Sequence, residues 1–509
     1  MSFPWLTTLI VLPLVGAVAL WVLPASLRTR ARGVALGFAL AELALFVAAL
    51  TQFDTGAAST HQLTELHHWI PALGVSYAVG VDGVGMLLIG MSLLLVPLVV
   101  LAAWREQGSE TVATDRLRQY LALVLALTAF IVAVFAARDV FLFYVLFEAM
   151  LIPVYFMIGG FGGPKRRYAA VKFLIYSLAG GLVMLVGVIA LYLQGPRGAE
   201  GFLTANLTGL PLDPTTEKWL FLAFFLAFAI KAPMFPVHTW LPDAAEQAPA
   251  GTSTLLVGVL DKVGTFGMLT LCLPLFPAAS RWFAPAVIVL ALVSILYGAL
   301  LAIGQKDLMR LVAYTSVSHF GFIVLGIFAF TSTSVAGSSF YMANHGFSTG
   351  ALFLVAGFLV ARRGSQQIAD FGGLQKVVPV LAGLFLVIGL SALSLPGLST
   401  FVSEFLVIVG TFARHPAAAV VATLGVVLAA IYVLWTYQRV FTGPVRAGLE
   451  GMADLRAHER WALAPLVAIM LVLGFVPAPA LDLVRPPAAV TLEQVGVADV
   501  PTTTQGGDR

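Results

Sequence analysis

Eight ionisable side chains lie inside long apolar segments of this chain, where a charge is costly. A charged group at the centre of a bilayer costs roughly 2.5–3.5 kcal/mol on insertion scales, so such groups usually face a bundle interior or a wet cavity, and often carry ions or protons. The alternative is a packing ion pair or a side chain that reaches the membrane surface. The eight residues are Glu42, Glu148, Lys231, Asp261, Lys262, His319, His345 and Glu404.

Four of these residues are the strongest candidates for proton transfer: Glu148, Lys231, Lys262 and Glu404. None of them lies near the end of its apolar segment, so reaching the membrane surface is difficult. Glu148 follows Asp139 by nine residues, which places it about 14 Å along a helix and near mid-membrane. Asp261 points about 100° away from Lys262 on a helix. Its role and that of Glu42 stay open.

Prolines follow one of these residues and precede another. In "FLAFFLAFAIKAPMFPVHTWLPDA", Pro233 and Pro236 follow Lys231 by two and five residues, and in "LSALSLPGLSTFVSEFLVIVG" a Pro396-Gly397 break precedes Glu404 by two turns. Proline lacks an N–H and frees a helix carbonyl. Broken helices are tolerated in a membrane only where they line a cavity or are buried in protein. The pattern therefore predicts two interrupted helices, each with an ionisable residue near its break.

Histidines connect the candidates along the sequence. His319 and His345 lie in apolar segments and His238 follows the first break. A neutral imidazole can take up and release a proton near pH 7. The alternative for each is a core histidine bonded to a backbone carbonyl, and this alternative is strongest for His238. His61, His67 and His68 have a spacing that could hold a metal, but a solvated loop is the better interpretation.

A buried glutamate and lysine form a switch when they can approach and separate. Burial favours the neutral form of each group and a nearby opposite charge favours the charged form. A Glu148–Lys231 pair would keep the lysine protonated while the two are close and release its proton when they part. The residues thus predict a chain of glutamate, lysine, lysine, histidines and glutamate that runs parallel to the membrane plane.

The positions of these residues depend on the apolar segments that carry them. Of the 509 residues, 60% are hydrophobic and only 10% are charged, against about 25% charged in a soluble protein. A spanning helix needs about 20 mostly apolar residues. We predict an all-α polytopic membrane protein with about fourteen transmembrane helices, near 3–23, 33–53, 84–104, 117–136, 139–161, 169–194, 219–240, 252–273, 283–303, 308–330, 337–361, 378–410, 416–438 and 461–481.

The distribution of basic residues predicts the orientation. With the N-terminus outside, 19 of the 28 Lys and Arg residues fall in cytoplasmic loops, 7 fall outside, and Lys231 and Lys262 lie within helices. Cytoplasmic loops normally carry the excess of basic residues. This split favours fourteen spans with both termini on the outer face. The first segment has no basic n-region and no small-residue cleavage site, so we interpret it as a retained helix.

One membrane domain is predicted over residues 1–509. It begins with helices 1–3 in 1–116, continues with a first repeat in 117–273 and a second in 283–438, and ends with helix 14 in 461–481 and a polar tail in 485–509. The discontinuous helices 7 and 12 are five spans apart, which is typical of transporter repeats. Helices 4–8 and 9–13 would be two inverted five-helix repeats. The single cysteine, Cys272, permits no internal disulfide, and no basic run indicates nucleic-acid binding.

Five segments resemble the antiporter-like membrane subunits of respiratory complex I, the NADH–quinone oxidoreductase, over nearly all fourteen spans. They are "EAMLIPVYFMIG", "KAPMFPVHTWLPDAAEQAPAGTSTLLVGVLDKVGTFG", "QKDLMRLVAYTSVSHFGFIVLGI", "HGFSTGALFLVAGFL" and "LPGLSTFVSEF". Glu404 in place of the usual lysine, "HGFSTGALF", and an end soon after helix 14 resemble the M branch more than the L and N branches. Ser365 stands where threonine is usual, and no consequence is expected.

This resemblance implies a proton-translocating subunit that couples quinone reduction to pumping. It implies that Glu148 and Lys231 form the modulating pair, that Lys262 and the histidines relay protons, and that Glu404 faces the exit. It implies no cofactor on this chain, with FMN, iron–sulfur clusters and quinone held elsewhere in the complex. The implied partners are other complex I membrane subunits, especially the L and N paralogues, within the lipid bilayer of the bacterial inner membrane.

Two other functions compete with this interpretation. One is a subunit of a multi-subunit cation/proton antiporter, which shares the pattern of helices 5, 7 and 8. The other is a scaffold subunit whose buried charges are structural. Two broken helices and two mid-membrane lysines would be costly for packing alone, which disfavours the scaffold.

Overall fold

The fold follows from a chain that buries long apolar helices against one another. The computed structural model describes residues 3–103 and 110–500, and most of these residues are helical. The helices, numbered in chain order, are α1 Trp5–Trp21, α2 Ala31–Leu50, α3 Gly83–Ala102, α4 Glu110–Ala136, α5 Val140–Ala149, α6 Leu151–Phe161, α7 Arg166–Gln194, α8 Thr204–Leu207, α9 Pro214–Lys231, α10 Trp240–Gln247, α11 Ala250–Leu255, α12 Lys262–Gly267, α13 Leu273–Leu275, α14 Pro277–Ile303, α15 Leu308–Phe328, α16 Ser332–Arg363, α17 Pro379–Ala392, α18 Ser399–Arg414, α19 Pro416–Phe441, α20 Ala457–Phe475 and α21 Ala478–Val495.

Eleven helical segments among the described residues are long and apolar enough to cross a membrane. The shorter apolar helices α1 and α17 add to them. The predicted all-α, multi-pass fold is therefore confirmed. The count of fourteen spans and the inverted repeats stay predictions.

Both predicted breaks are present. In the predicted seventh span, 219–240, helix α9 ends at Lys231 and the next helix, α10, begins only at Trp240. The predicted twelfth span divides into α17 and α18. Two further interruptions were not predicted. The fifth span divides at Met150 into α5 and α6, and the eighth contains π-helical turns at Leu256–Leu260 and Met268–Cys272 on either side of α12.

The centre of the bundle is α16, whose 32 residues are almost entirely buried. It packs against α11, α15 and α18, so helices of the first and second predicted repeats meet on it. Polar residues in the buried middle of α16 are therefore held away from lipid. This position suits His345, which is fully buried.

The loop between α2 and α3 contains a β-hairpin that the sequence analysis did not predict. Strand β1, Gln62–Ile70, pairs antiparallel with β2, Val75–Val81, with His67 opposite Tyr77 and irregularities at both ends of the ladder. Within the described ranges no three His, Cys, Asp or Glu side chains are grouped closely enough to hold a metal ion.

The predicted polar tail over 485–509 was wrong for its first part. Helix α21 continues to Val495 and buries Val484, Ala488 and Leu492 against its neighbours, among them α3 and α16. Its apolar residues recur every three to four positions, which is the pattern of a helix with one buried face. Residues 501–509 of that predicted tail lie outside the described residues.

Candidate functional site

Lys231 is the last residue of α9, and local hydrogen bonds stabilise the interruption that follows it. Pro233 cannot donate to the carbonyl of Ala229, and the N–H of Met234 donates to it instead at 3.0 Å. The indole Nε1 of Trp240 donates to the carbonyl of Ile230 at 2.9 Å. The broken segment is therefore satisfied within the protein, as a broken membrane helix requires.

The ammonium of Lys231 is buried without a hydrogen-bond partner in the part of the chain that the structure describes. Its Nζ lies 4.9 Å from the ring centroid of Phe147 and 5.7 Å from that of Phe173. Aromatic faces attract a cation within about 6 Å. Lys231 thus rests on two rings and not on a carboxylate.

Glu148 lies next to Phe147 at the end of α5. Pro153 has no N–H for the carbonyl of Ala149, and the helix is interrupted there. Both carboxylate oxygens of Glu148 are buried and, over residues 3–103 and 110–500, have no hydrogen-bond partner. Glu148 and Lys231 interact through their charges but form no ion pair. The structure therefore holds the predicted pair in a separated state.

Lys262 begins α12, directly after the first π-helical turn of its span. The Nζ of Lys262 donates to the carbonyl of Val257 at 2.5 Å and lies 2.6 Å from Nδ1 of His345. π-Helical turns inside membrane helices are frequent at functional sites. Asp261 is buried beside it, and its charge interacts with those of both Lys262 and Lys231.

The two predicted histidines are neighbours. The rings of His345 and His319 meet edge to face, with centroids 5.3 Å apart. The Nε2 of His319 lies 3.1 Å from the hydroxyl of Tyr432 on α19. The sequence placed these groups on different helices, and the fold brings Lys262, His345 and His319 into one buried row.

Glu404 on α18 ends this row, and it is hydrogen-bonded. The hydroxyl of Tyr341 donates to its Oε2 at 2.5 Å, and the hydroxyl of Ser394 donates to the same oxygen at 2.7 Å. Ser394 belongs to the break between α17 and α18, where its φ is +60° and that of Gly397 is +93°. The break therefore provides a donor to the carboxylate.

Tyr341 is a residue of the site that the sequence analysis missed. Its ring centroid lies 6.1 Å from that of His319, so it stands between the histidines and Glu404. Tyr341 precedes His345 by four residues on α16, a spacing that places both on one helix face. That spacing could have found it. Tyr432 carried no comparable signal, because it lies on a distant helix.

His238 does not join the row. It lies in the turn between α9 and α10, surrounded by the rings of Phe235, Tyr297 and Tyr314. Neither ring nitrogen has a hydrogen-bond partner among the described residues. Glu42 is likewise separate, since it is buried on α2 and its carboxylate oxygens have no partner within the described ranges.

A four-residue ion cluster, also missed from the sequence, lies beyond the break. Asp243 accepts a hydrogen bond from Nζ of Lys172 at 2.6 Å and one from Arg310 at 2.6 Å, and Arg310 also binds Glu246 at 2.8 Å. Burial alone would raise the pKa of Asp243, but these two cations outweigh it and lower that pKa. The cluster joins α7, α10 and α15, and so joins the two predicted repeats.

Asp243→Asn is expected to destabilise the subunit by about 2 kcal/mol, because hydrogen bonds to charged groups contribute about 1.5–3 kcal/mol each. Because the pKa of Asp243 is lowered, this contribution is present at neutral pH and is lost as the pH falls through that lowered value. The thermal midpoint of the detergent-solubilised assembly measures the effect. Asp482→Asn is the control, since Asp482 forms only an exposed 3.8 Å pair with Arg485. Equal midpoints for the two variants would contradict the structural role of the cluster.

Residues 137–431 match the family model described as NADH:quinone oxidoreductase/Mrp antiporter, TM. The chain is 46% identical to NADH-quinone oxidoreductase subunit M of Mycobacterium tuberculosis, over 98% of this chain and 96% of that protein.

Two solved structures have the same fold. Respiratory complex I from Thermus thermophilus with bound NADH contains a chain matched with a TM-score of 0.87 and 33% identity, over 96% of this chain and 100% of that one. The Mrp complex from Dietzia matches with a TM-score of 0.84 over 97% of this chain and 100% of that one. The identity to the Mrp chain is 23%, so this likeness concerns the fold alone.

Proposed function

The chain belongs to the family of antiporter-like membrane subunits of NADH–quinone oxidoreductase, and we propose that its buried row from Glu148 to Glu404 is the path along which it translocates protons. The family identified from the sequence motifs is confirmed. The chain is a multi-pass, proton-translocating membrane subunit of that oxidoreductase complex, and it works among other membrane subunits. Which residues carry the protons is the proposal.

The contacts along the second part of the row, from Lys262 to Glu404, support this path most directly. A proton on Lys262 has His345 within 2.6 Å, and His345 has His319 as its edge-to-face neighbour. From His319 the row passes Tyr341 to the carboxylate of Glu404. Each step joins groups that can take up and release a proton.

The first part of the row, Glu148 and Lys231, would start the proton transfer through a change in the charge of Lys231. While Glu148 lies apart from Lys231, the low-dielectric surroundings disfavour an ammonium that has only aromatic rings to stabilise it. A proton leaving Lys231 would then pass towards Lys262, with Asp261 interacting with both lysines. His238 is proposed to serve the uptake side, because it lies in the turn after Lys231 and not in the row.

Partners, membrane and cofactors are proposed from the same observations. The L and N paralogues are the proposed partners and the bacterial inner membrane is the proposed location. The excess of basic residues in the predicted cytoplasmic loops supports an orientation with both termini outside. FMN, iron–sulfur clusters and quinone are assigned to other subunits. This fits a chain with one buried cysteine, since a cluster is usually held by four.

Glu404→Ala tests the path at its end. We expect pumping in membrane vesicles to fall by about tenfold, because a positioned proton-transferring group contributes at least that much. Glu404→Lys should retain more pumping, since an amine can also exchange a proton and can meet the hydroxyls of Tyr341 and Ser394. Glu450→Ala, at an exposed position, is the control. Unchanged pumping in Glu404→Ala would remove this residue from the path.

A further inference from the structure

The separated state of Glu148 and Lys231 has a specific support on the helix between them. Helix α7 packs against both α5, which carries Glu148, and α9, which carries Lys231. Where it contacts these two helices, α7 has two consecutive buried glycines, Gly180 and Gly181. Small residues let membrane helices approach closely, so the two glycines explain in general why α7 packs against α5 and α9.

The two glycines face different groups. A Cβ at Gly180 would lie 2.9 Å from Cδ1 of Ile230 and 3.1 Å from Cα of Ala227, both on α9. A Cβ at Gly181 would lie 1.6 Å from Oε1 of Glu148 and 2.5 Å from its Cδ. The Glu148 carboxylate therefore occupies the space that any other residue at position 181 would fill.

Helix packing alone does not require this arrangement. The group that meets Gly181 is the flexible end of a glutamate, which has no hydrogen bond to any described residue and could rotate elsewhere. Lys231 is held separately by the rings of Phe147 and Phe173. Glu148 and Lys231 are thus each held by contacts that do not involve the other residue.

We propose that Gly181 is a positioning residue whose missing side chain forms a notch that holds the Glu148 carboxylate away from Lys231. This inference rests on the proposed function, in which the separation of the pair releases a proton. Filling the notch would drive the carboxylate out and favour the paired state. Lys231 would then stay charged and the switch would remain in one position.

Gly181→Ala is the direct test, in the assembled complex reconstituted in vesicles. We expect pumping and quinone reduction to fall by about tenfold, because the new methyl would displace the carboxylate towards Lys231 and hinder the separation of a pair that transfers protons, and a positioned proton-transferring group contributes at least that much. Gly187→Ala is the matched control. It lies on the same helix, and its Cβ would lie 2.9 Å from that of Ala223 and 3.1 Å from the ring of Phe224, so it crowds the contact between α7 and α9 without touching Glu148 and should lower pumping less than Gly181→Ala.

A second variant separates positioning from general packing. Aspartate is one methylene shorter than glutamate, so Glu148→Asp retracts the carboxylate from position 181. The double variant Gly181→Ala/Glu148→Asp should pump better than Gly181→Ala alone, although Glu148→Asp by itself lowers pumping. A double variant no better than Gly181→Ala would overturn the proposal.

Two further outcomes distinguish this inference from the proposed function. Full pumping in Gly181→Ala together with loss in Glu148→Gln would refute the notch and leave the Glu148–Lys231 switch intact. If Gly181→Ala does not assemble, Gly181→Ala/Glu148→Ala should restore assembly, because the new methyl then meets no carboxylate. Failure of that double variant to assemble would show that position 181 contacts something else and would refute the notch.

Discussion

Lys231→Ala should reduce proton pumping by about 100-fold, the order of magnitude that a positioned acid–base group contributes. Most quinone reductase activity should be lost with it, because the two processes are coupled. The complex should still assemble, since the ammonium makes no hydrogen bond within the described residues and the break after α9 is stabilised by Met234 and Trp240. Proton uptake into vesicles per NADH oxidised, with assembly followed on native gels, measures the effect.

Lys231→Arg separates charge from proton release. A guanidinium keeps the positive charge over Phe147 and Phe173 but cannot be deprotonated in this pH range, so arginine should not restore pumping. Lys218→Ala is the control, because Lys218 also lies over an aromatic ring, 4.2 Å from the centroid of Trp282, but precedes the buried region. A normal proton-to-electron ratio in Lys231→Ala would refute the role of this residue.

Glu148→Gln is expected to lower pumping by at least about tenfold, because it removes the charge that acts on Lys231 while keeping the side-chain volume. The oxygen against Gly181 can stay in place, so packing is preserved and only the electrostatic partner is lost. Glu148→Asp should keep partial pumping. Both are measured as proton uptake in vesicles at matched levels of assembled complex.

Glu200→Gln is the corresponding surface control, because Glu200 is exposed in the loop after α7. It should leave coupled activity unchanged. If Glu148→Gln also retains full coupled activity, the pair is a structural feature and the first half of the proposed path is wrong.

Residue type and helix breaks were predictable from the sequence, but contacts between helices were not. Lys231 before two prolines, and Glu404 after Pro396-Gly397, carry their own local signals, because proline acts on the helix that contains it. The contact of Lys262 with His345 joins residues 83 positions apart. Such a contact depends on how α16 packs against the eighth span, and no local pattern specifies it.

The same distinction explains the differences in the fold. The break at Met150 had a visible cause in Pro153, which the sequence analysis did not weigh. Helix α21 was mistaken for a surface tail because Pro486, Pro487 and its polar residues lower the mean apolarity of the segment, although one face is apolar. The ion cluster was missed because Lys172 and Arg310 were counted only for their charge at the membrane surface.

That cluster has a mechanical consequence. In transporters that work by alternating access, one half of the molecule rocks against the other around a fixed site. Here Asp243 of the first half is bonded to Arg310 of the second, and α16 of the second half packs against α11 of the first. A rocking movement of one half against the other would have to break the Asp243–Arg310 ion pair in every cycle. We therefore expect proton transfer to proceed through electrostatic changes in a rigid helix bundle. Side chains would move by a few ångströms, and the helices would keep their positions.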